Sequence, residues 1–335
     1  MNIIYKLVMF IIIIEATSSD QSNMIILNDP VAVLGVPSSN VYLSNPVDYT
    51  STKYDTIYVL DQRNIEVTAF NMSGSALFTI GKWGQGPGEF IKPTSIASTD
   101  STLFIADEEM KRISVFTLTG QYMYSIQLLG TPGKMIPYNS SLYVGIRSTN
   151  NIVVKININS PKEQKIILSY ELPELEDTEI RQRLSFPELT IINKMLYVGL
   201  ANKNIIYVLS CENDGVIQKY NITNTYIESY MRRCKVRNRE LNEGTWIVPK
   251  SFHGLSQLKE KYLLIQVRTA HIENALPTLI IIDSNTGRVS DTIISSINPG
   301  YQHPKILNNG MLAWTSYNES LVYIYSIDNY INTIR

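Results

Sequence analysis

A short apolar run that closes on a turn recurs along the 335 residues of this chain. Its clear copies are Ile57-Tyr58-Val59-Leu60-Asp61, Leu103-Phe104-Ile105-Ala106-Asp107, Leu142-Tyr143-Val144-Gly145-Ile146 and Leu196-Tyr197-Val198-Gly199-Leu200. Residues 263–267 and 312–316 carry weaker copies. The run returns roughly every 40 to 65 residues, a period that in β-rich units signals radially repeated sheets rather than a helical solenoid. Each copy is followed by a second alternating stretch, as in Ile65-Glu66-Val67-Thr68-Ala69-Phe70 and Ile113-Ser114-Val115-Phe116. A turn and a further strand then follow: Ser73-Gly74, Thr119-Gly120, Asp214-Gly215 and Thr286-Gly287 mark the turns, where glycine supplies the positive φ that tight hairpins need.

Six such units predict an all-β chain, a six-bladed β-propeller with four-stranded blades. Blades of this kind need roughly 240–300 residues in total, so a single domain over residues 24–335 accounts for the chain. The 44% apolar fraction and 21 tyrosines can furnish its core. The last unit ends near Tyr325 without a fourth strand of its own. Either Met24–Leu27 or residues 31–34 would supply it, closing the ring through an N-terminal strand and removing exposed sheet edges.

Residues 81–116 read GKWGQGPGEFIKPTSIASTDSTLFIADEEMKRISVF. The order Gly86-Pro87-Gly88-Glu89-Phe90, Pro93, Leu103-Phe104-Ile105-Ala106-Asp107, then Arg112-Ile113-Ser114-Val115-Phe116 with Gly120 after it, resembles the repeat of NHL-type β-propellers. The whole also resembles the exported six-bladed propeller proteins of Bacteroidetes-type bacteria. The resemblance implies an exported chain folded as a six-bladed propeller.

The N-terminus fits that expectation. Lys6, the apolar run from Leu7 to Ile14 and the small residues Ala16-Thr17-Ser18 read as a signal peptide over residues 1–19. The apolar run is too short for a helix that spans a bilayer, which needs about 20 residues. No cysteine follows it to carry a lipid anchor. The expected location is therefore periplasmic, cell-surface or secreted, with no stable membrane span. A formal net charge of −1, with 18% of residues charged, excludes the global basic field that drives nucleic-acid binding. The two cysteines, Cys211 and Cys234, leave both pairing and free thiols open.

Glycine-rich residues 82–88 do not read as a phosphate cradle, because the turn feeds Pro93 and a strand rather than a helix N-terminus. Asp61 and Asp107 share one position in successive units and read as caps for backbone N–H groups. His253 and His303 precede their anchors by nearly the same distance that Pro46, Pro93 and Pro187 do, so they belong on the first strands of units five and six, next to the central channel. Two imidazoles there could share a divalent metal or bracket an anion. NHL-type amidating lyases hold a zinc with three channel histidines, and His271 is not at an equivalent position.

His253, His303 and Arg268 are the candidate ligand-binding residues at the mouth of the channel, and Trp83, beside the glycine-rich turn, is a further candidate for stacking on a ligand. Arg232, Arg233 and Arg237, in an insertion over residues 224–249 that also holds Lys235 and Arg239, are candidates for docking an acidic partner or a carboxylate- or sulfate-bearing glycan. A second insertion, residues 171–183, is rich in carboxylates. No nucleophile elbow, HExxH or CxxC spacing is present. The predicted function is an exported propeller that binds a protein, glycan or small molecule at its funnel. The alternative is a metal-dependent lyase or hydrolase using the same funnel.

Overall fold

The computed structural model describes residues 24–27, 29–36, 41–147, 151–170, 187–200, 204–222, 228, 252–267, 278–295, 301–316 and 319–327. Two short strands, β1 (Met24–Leu27) and β2 (Ala32–Leu34), precede a ring of six sheets. Blade one is β3 (Pro46–Ser51), β4 (Ile57–Asp61), β5 (Glu66–Phe70) and β6 (Ala76–Ile80). Blade two is β7 (Pro93–Ser98), β8 (Thr102–Asp107), β9 (Arg112–Thr117) and β10 (Tyr122–Gln127). Blade three is β11 (Thr131–Tyr138), β12 (Ser141–Arg147), β13 (Asn151–Asn157) and β14 (Gln164–Tyr170). Blade four is β15 (Glu188–Ile192), β16 (Met195–Leu200), β17 (Ile205–Ser210) and β18 (Val216–Asn221). Blade five is β19 (Phe252–Leu258), β20 (Tyr262–Val267), β21 (Thr278–Asp283) and β22 (Val289–Ser295). Blade six contributes β23 (Tyr301–Ile306), β24 (Leu312–Ser316) and β25 (Leu321–Tyr325).

The ring closes as an N-terminal strand allows. β2 pairs antiparallel with β25, Ala32 opposite Ile324 and Leu34 opposite Val322, and becomes the fourth strand of blade six. β1 does something else: it runs parallel to β22, Met24 opposite Thr292, and gives blade five a fifth strand. The two N-terminal segments therefore clasp adjacent blades, and one of them joins the last strand of the ring.

Each repeated run is apolar throughout because its strand is buried on both faces. On β8, Leu103 and Ile105 pack with Tyr58, Leu60 and Ile96 toward blade one, while Phe104 and Ala106 pack with Val144 and Ile146 toward blade three. The alternation of a strand, period 2, thus feeds two cores at once. Among the described residues, six apolar clusters form, one in each seam between neighbouring blades. Propeller stability is distributed around these seams rather than held in one centre.

Asp61 and Asp107 are caps, as their shared position predicts. Asp61 accepts the amides of Asn45 (3.0 Å), Arg63 (3.1 Å) and Asn64 (3.1 Å), tying the lead into β3 to the β4–β5 turn. Asp107 does the same for Ile91 (2.7 Å) and Met110 (3.0 Å).

The glycine-rich loop 81–92 is held from inside. The Gly84 amide donates to Phe90 O and the Phe90 amide to Lys82 O, both at 2.9 Å, while Gly86 N donates to Glu89 Oε2. Arg112 clamps the loop through the carbonyls of Gln85, Gly86 and Glu89. These amides are consumed within the loop, which is the physical reason it is no phosphate cradle. Its anchor is Phe90, fully buried and 5.9 Å from the Phe116 ring. A Cβ at Gly81, where φ is +89°, would meet Phe90 at 2.2 Å. Gly81→Ala is therefore expected to destabilise by at least about 1–3 kcal/mol, read as a lower denaturation midpoint at unchanged slope; a midpoint equal to the parent's would show that the Phe90 anchor yields.

Candidate functional site

The first strand of each blade faces the central axis, and most of them carry the same irregularity. β-Bulges interrupt the register at Pro46/Asp48, Pro93/Ser95, Pro132/Met135, His253/Leu255 and Gln302/Lys305. A proline has no N–H to give a ladder, and an extra residue bends the strand and re-aims the side chains after it. Asp48 from β3, Ser95 from β7, Lys134 from β11 and Lys305 from β23, each at such a bulge, form a ring across the channel with Glu188 from β15, whose register is unbroken. Blade five contributes Gly254 instead, whose φ is +63° and whose Cβ would lie 2.6 Å from Pro304 O. Only glycine lets β19 come that close to β23.

Asp48 is the hub of the ring. Its side chain is 3% exposed, with Lys134 Nζ 3.2 Å from Oδ2 and Lys305 Nζ 3.2 Å from Oδ1. Ser95 Oγ (2.8 Å) and the Ile96 amide (3.1 Å) also donate to Oδ2. Burial by itself would raise the Asp48 pKa, but Lys134 and Lys305, with the two hydrogen bonds, outweigh it and hold the carboxyl well below the ordinary carboxylate range. Burial pushes the Lys305 ammonium down from its ordinary value, and Asp48 opposes that shift. The space left inside the ring is about 40 Å³, room for little more than a water molecule.

Beyond the ring, the same first strands open into a cavity of about 790 Å³. All six contribute to its wall, from Thr50 on β3 and Ser98 on β7 through Ile136 on β11, Thr190 on β15 and Gln257 on β19 to Lys305 on β23. Inter-blade hydrogen bonds stiffen this wall: Thr50 Oγ1 and Ser98 Oγ lie 2.9 Å apart, and Asn308 N donates to Ser51 Oγ at 2.9 Å. The channel thus widens into a funnel on one side of a narrow, charged floor.

The backbones of His253 and His303 do lie on the first strands of blades five and six, with His253 opposite Gln266. They precede Gly254 and Pro304, which line the constriction, so along the strands they stand beyond the floor rather than in the large cavity. Their side chains are outside the described residues, as are Arg268, Arg232, Arg233, Arg237, Cys234, residues 1–19 and residues 171–183. Trp83 is 72% exposed, bridged through its backbone to Phe90 in the loop between β6 and β7, and does not line the funnel. Cys211 is buried with a free thiol.

Among the described residues, no three His, Cys, Asp or Glu side chains gather in a group that could hold a metal, and no helix is long and apolar enough to cross a membrane. Sequence reasoning marked the proline and histidine positions but passed over Asp48, Lys134, Glu188 and Lys305. The signal was present in Pro46-Val47-Asp48, Pro132-Gly133-Lys134, Pro187-Glu188 and Pro304-Lys305, where a charge follows a proline at the start of a first strand.

Comparison with known proteins agrees on architecture. Residues 42–144 match a family described as a 6-bladed beta-propeller. No curated protein is a detectable sequence relative of this chain. Among solved structures, a Bacteroides fragilis protein inferred to be exported superposes with a TM-score of 0.52 at 13% identity, covering 81% of this chain and 80% of that one. Hydrazine synthase of Kuenenia stuttgartiensis gives 0.55 at 14% identity, with coverage of 88% and 80%. Virginiamycin B lyase of Staphylococcus aureus gives 0.54 at 12% identity, with coverage of 87% and 97%. Identities this low speak for the fold alone, which hosts unrelated functions. By its ring of six sheets, this chain folds as a six-bladed β-propeller.

Proposed function

We propose that this chain is an exported binding module whose ligand enters the funnel. On this reading residues 1–19 are a signal peptide and residues 24–335 form one NHL-like propeller. The likeness to an exported Bacteroides protein supports export. The observation that carries the binding reading is the cavity of about 790 Å³, walled by the first strands of all six blades and narrowed below by the Asp48 ring. Pockets that hold small ligands have roughly 300–1,000 Å³ and pre-formed walls, and a wall of β-strands hydrogen-bonded across blades costs little ordering when a ligand arrives. His253 and His303, beyond the floor, and Arg268 remain candidates for a second contact at the opposite mouth. Arg232, Arg233 and Arg237 are candidates for a partner that docks from outside, and Trp83 for a contact away from the funnel.

The test is occupancy of the funnel. Gln257 lines the cavity on β19, and Gln257→Trp would fill part of it with an indole. Ligand-observed magnetic resonance with a library of small polar compounds should find binders of the parent protein that lose their signal with the variant. Binders that ignore the substitution, or no binder at all, would sink the funnel reading.

A further inference from the structure

We infer that the funnel selects acidic sugars, meaning ligands that join hydroxyl groups to carboxylate or sulfate-ester groups; this rests on the funnel being the binding site. Among the described residues, those that line the large cavity and carry charge are Lys194, Lys259 and Lys305, and no carboxylate lines it. Lys194 and Lys259 sit at the mouth, at the β15–β16 and β19–β20 turns, while Lys305 sits at the floor.

The carboxylates lie below and outside. Asp48 and Glu188 belong to the constriction, where Asp48 is 3% exposed and engaged by two ammonium groups. At the rim, Glu212 meets Lys194 at 3.1 Å, but both side chains are about two-thirds exposed or more, so water and salt weaken that pair. A ligand entering the funnel therefore meets the ammonium groups of Lys194 and Lys259 at the mouth and that of Lys305 at the floor, and among the described residues no carboxylate lines the cavity between them. In a concave site bounded by low-dielectric walls such an arrangement concentrates anions.

The uncharged part of the wall explains why a sugar rather than a bare anion is favoured. Thr50, Ser98, Asn193, Gln257 and Asn308 alternate with apolar patches such as Met135 and Leu255. Hydroxyl and amide groups both donate and accept, as a ring of hydroxyls requires, while the apolar patches suit the C–H faces of a pyranose. A cavity of about 790 Å³ that narrows to about 40 Å³ at the Asp48 ring suits the end of a short chain rather than the middle of a polymer. The acid group of the terminal unit would approach Lys305, whose Nζ already holds Asp48 and the Ile96 carbonyl (3.4 Å) and is fixed in place by them. Lys194 and Lys259 would meet acid groups nearer the mouth.

The experiment is titration calorimetry of the full mature chain with three probes: trigalacturonate, its fully methyl-esterified form, and a sulfated neutral trisaccharide. Esterification removes charge and little else, so the first two isolate the carboxylate, and the third asks whether sulfate serves as well. The expected result is binding of trigalacturonate at least about tenfold tighter than of the ester, weakening as NaCl rises from about 50 to about 500 mM. Lys194→Gln/Lys259→Gln, both at the exposed mouth, should weaken the acidic probe by about tenfold and leave the ester unchanged. The Gln257→Trp variant should abolish both.

Equal binding of ester and acid, with Gln257→Trp blocking both, overturns the acidic preference and leaves the funnel reading standing. Acid binding that Gln257→Trp does not touch overturns both. No binding of any probe, while neutral library compounds still occupy the funnel, overturns the sugar-acid assignment alone. Tighter binding of the sulfated probe than of trigalacturonate would support the inference with sulfate as the preferred group.

Discussion

Asp48→Asn is expected to lower the unfolding free energy by about 3–5 kcal/mol, the scale found when one member of a buried charge cluster is removed and the rest are left unpaired. The residue is nearly inaccessible and stands between Lys134 and Lys305, each 3.2 Å away. An amide leaves both ammonium groups facing one another in the channel without their shared anion. The double variant Asp48→Asn/Lys305→Met should recover part of the loss, because deleting both partners of a buried pair is far milder than deleting one.

The same residue sets an acid limit. Its native pKa lies below the ordinary value of 3.8, so its contribution is complete above that value and is lost as pH falls from there toward the depressed native value. The wild type should therefore lose stability over that acid window, and Asp48→Asn should show a flatter acid limb. Urea midpoints measured from about pH 7 down to about pH 3 would check this. A variant within about 0.5 kcal/mol of the parent at neutral pH would mean that the ring does not organise the channel.

Trp314→Ala should cost a similar amount for a different reason, about 3–5 kcal/mol from lost apolar burial and the cavity left behind. Trp314 on β24 is 0% exposed and sits in the seam between blades five and six, among Leu264, Leu279, Ile281 and Tyr325. Leu27 of β1 belongs to the same cluster. The variant should therefore loosen the N-terminal clasp as well as the seam. Denaturant unfolding would show a lower midpoint, and hydrogen exchange would show faster opening of residues 24–27 and 278–282 than of blade two. Uniform exchange across all blades would contradict a seam-by-seam distribution of stability.

Architecture was legible because burial on two faces leaves a mark in one strand. Runs such as Leu103-Phe104-Ile105-Ala106 are apolar at every position since each face packs on a different neighbour, and the turns between them need glycine or an Asx residue. Those requirements are local, so they repeat with the blade. Closure was half legible: the missing fourth strand of the last unit pointed to the N-terminus. Which segment would do it depended on pairing across some 290 residues of sequence, and β1 and β2 took different partners.

The site was another matter. Prolines and histidines ahead of each anchor were visible as equivalent positions, and the ring residues lie one or two residues later, where a bulge turns Asp48, Ser95, Lys134 and Lys305 toward the axis. Scattered along the chain, an aspartate, a glutamate and two lysines look like ordinary surface charges. They become a buried ring because six strands distant in sequence converge on one axis, and convergence is invisible to any local pattern. The sequence by itself determined the strands, their turns, the count of blades and the need for closure, since each follows from what a residue and its near neighbours must bury or hydrogen-bond. Only the tertiary structure decided where the channel widens, which charges meet at its floor and which lysines line the cavity, because those depend on distances between residues that share nothing but the ring.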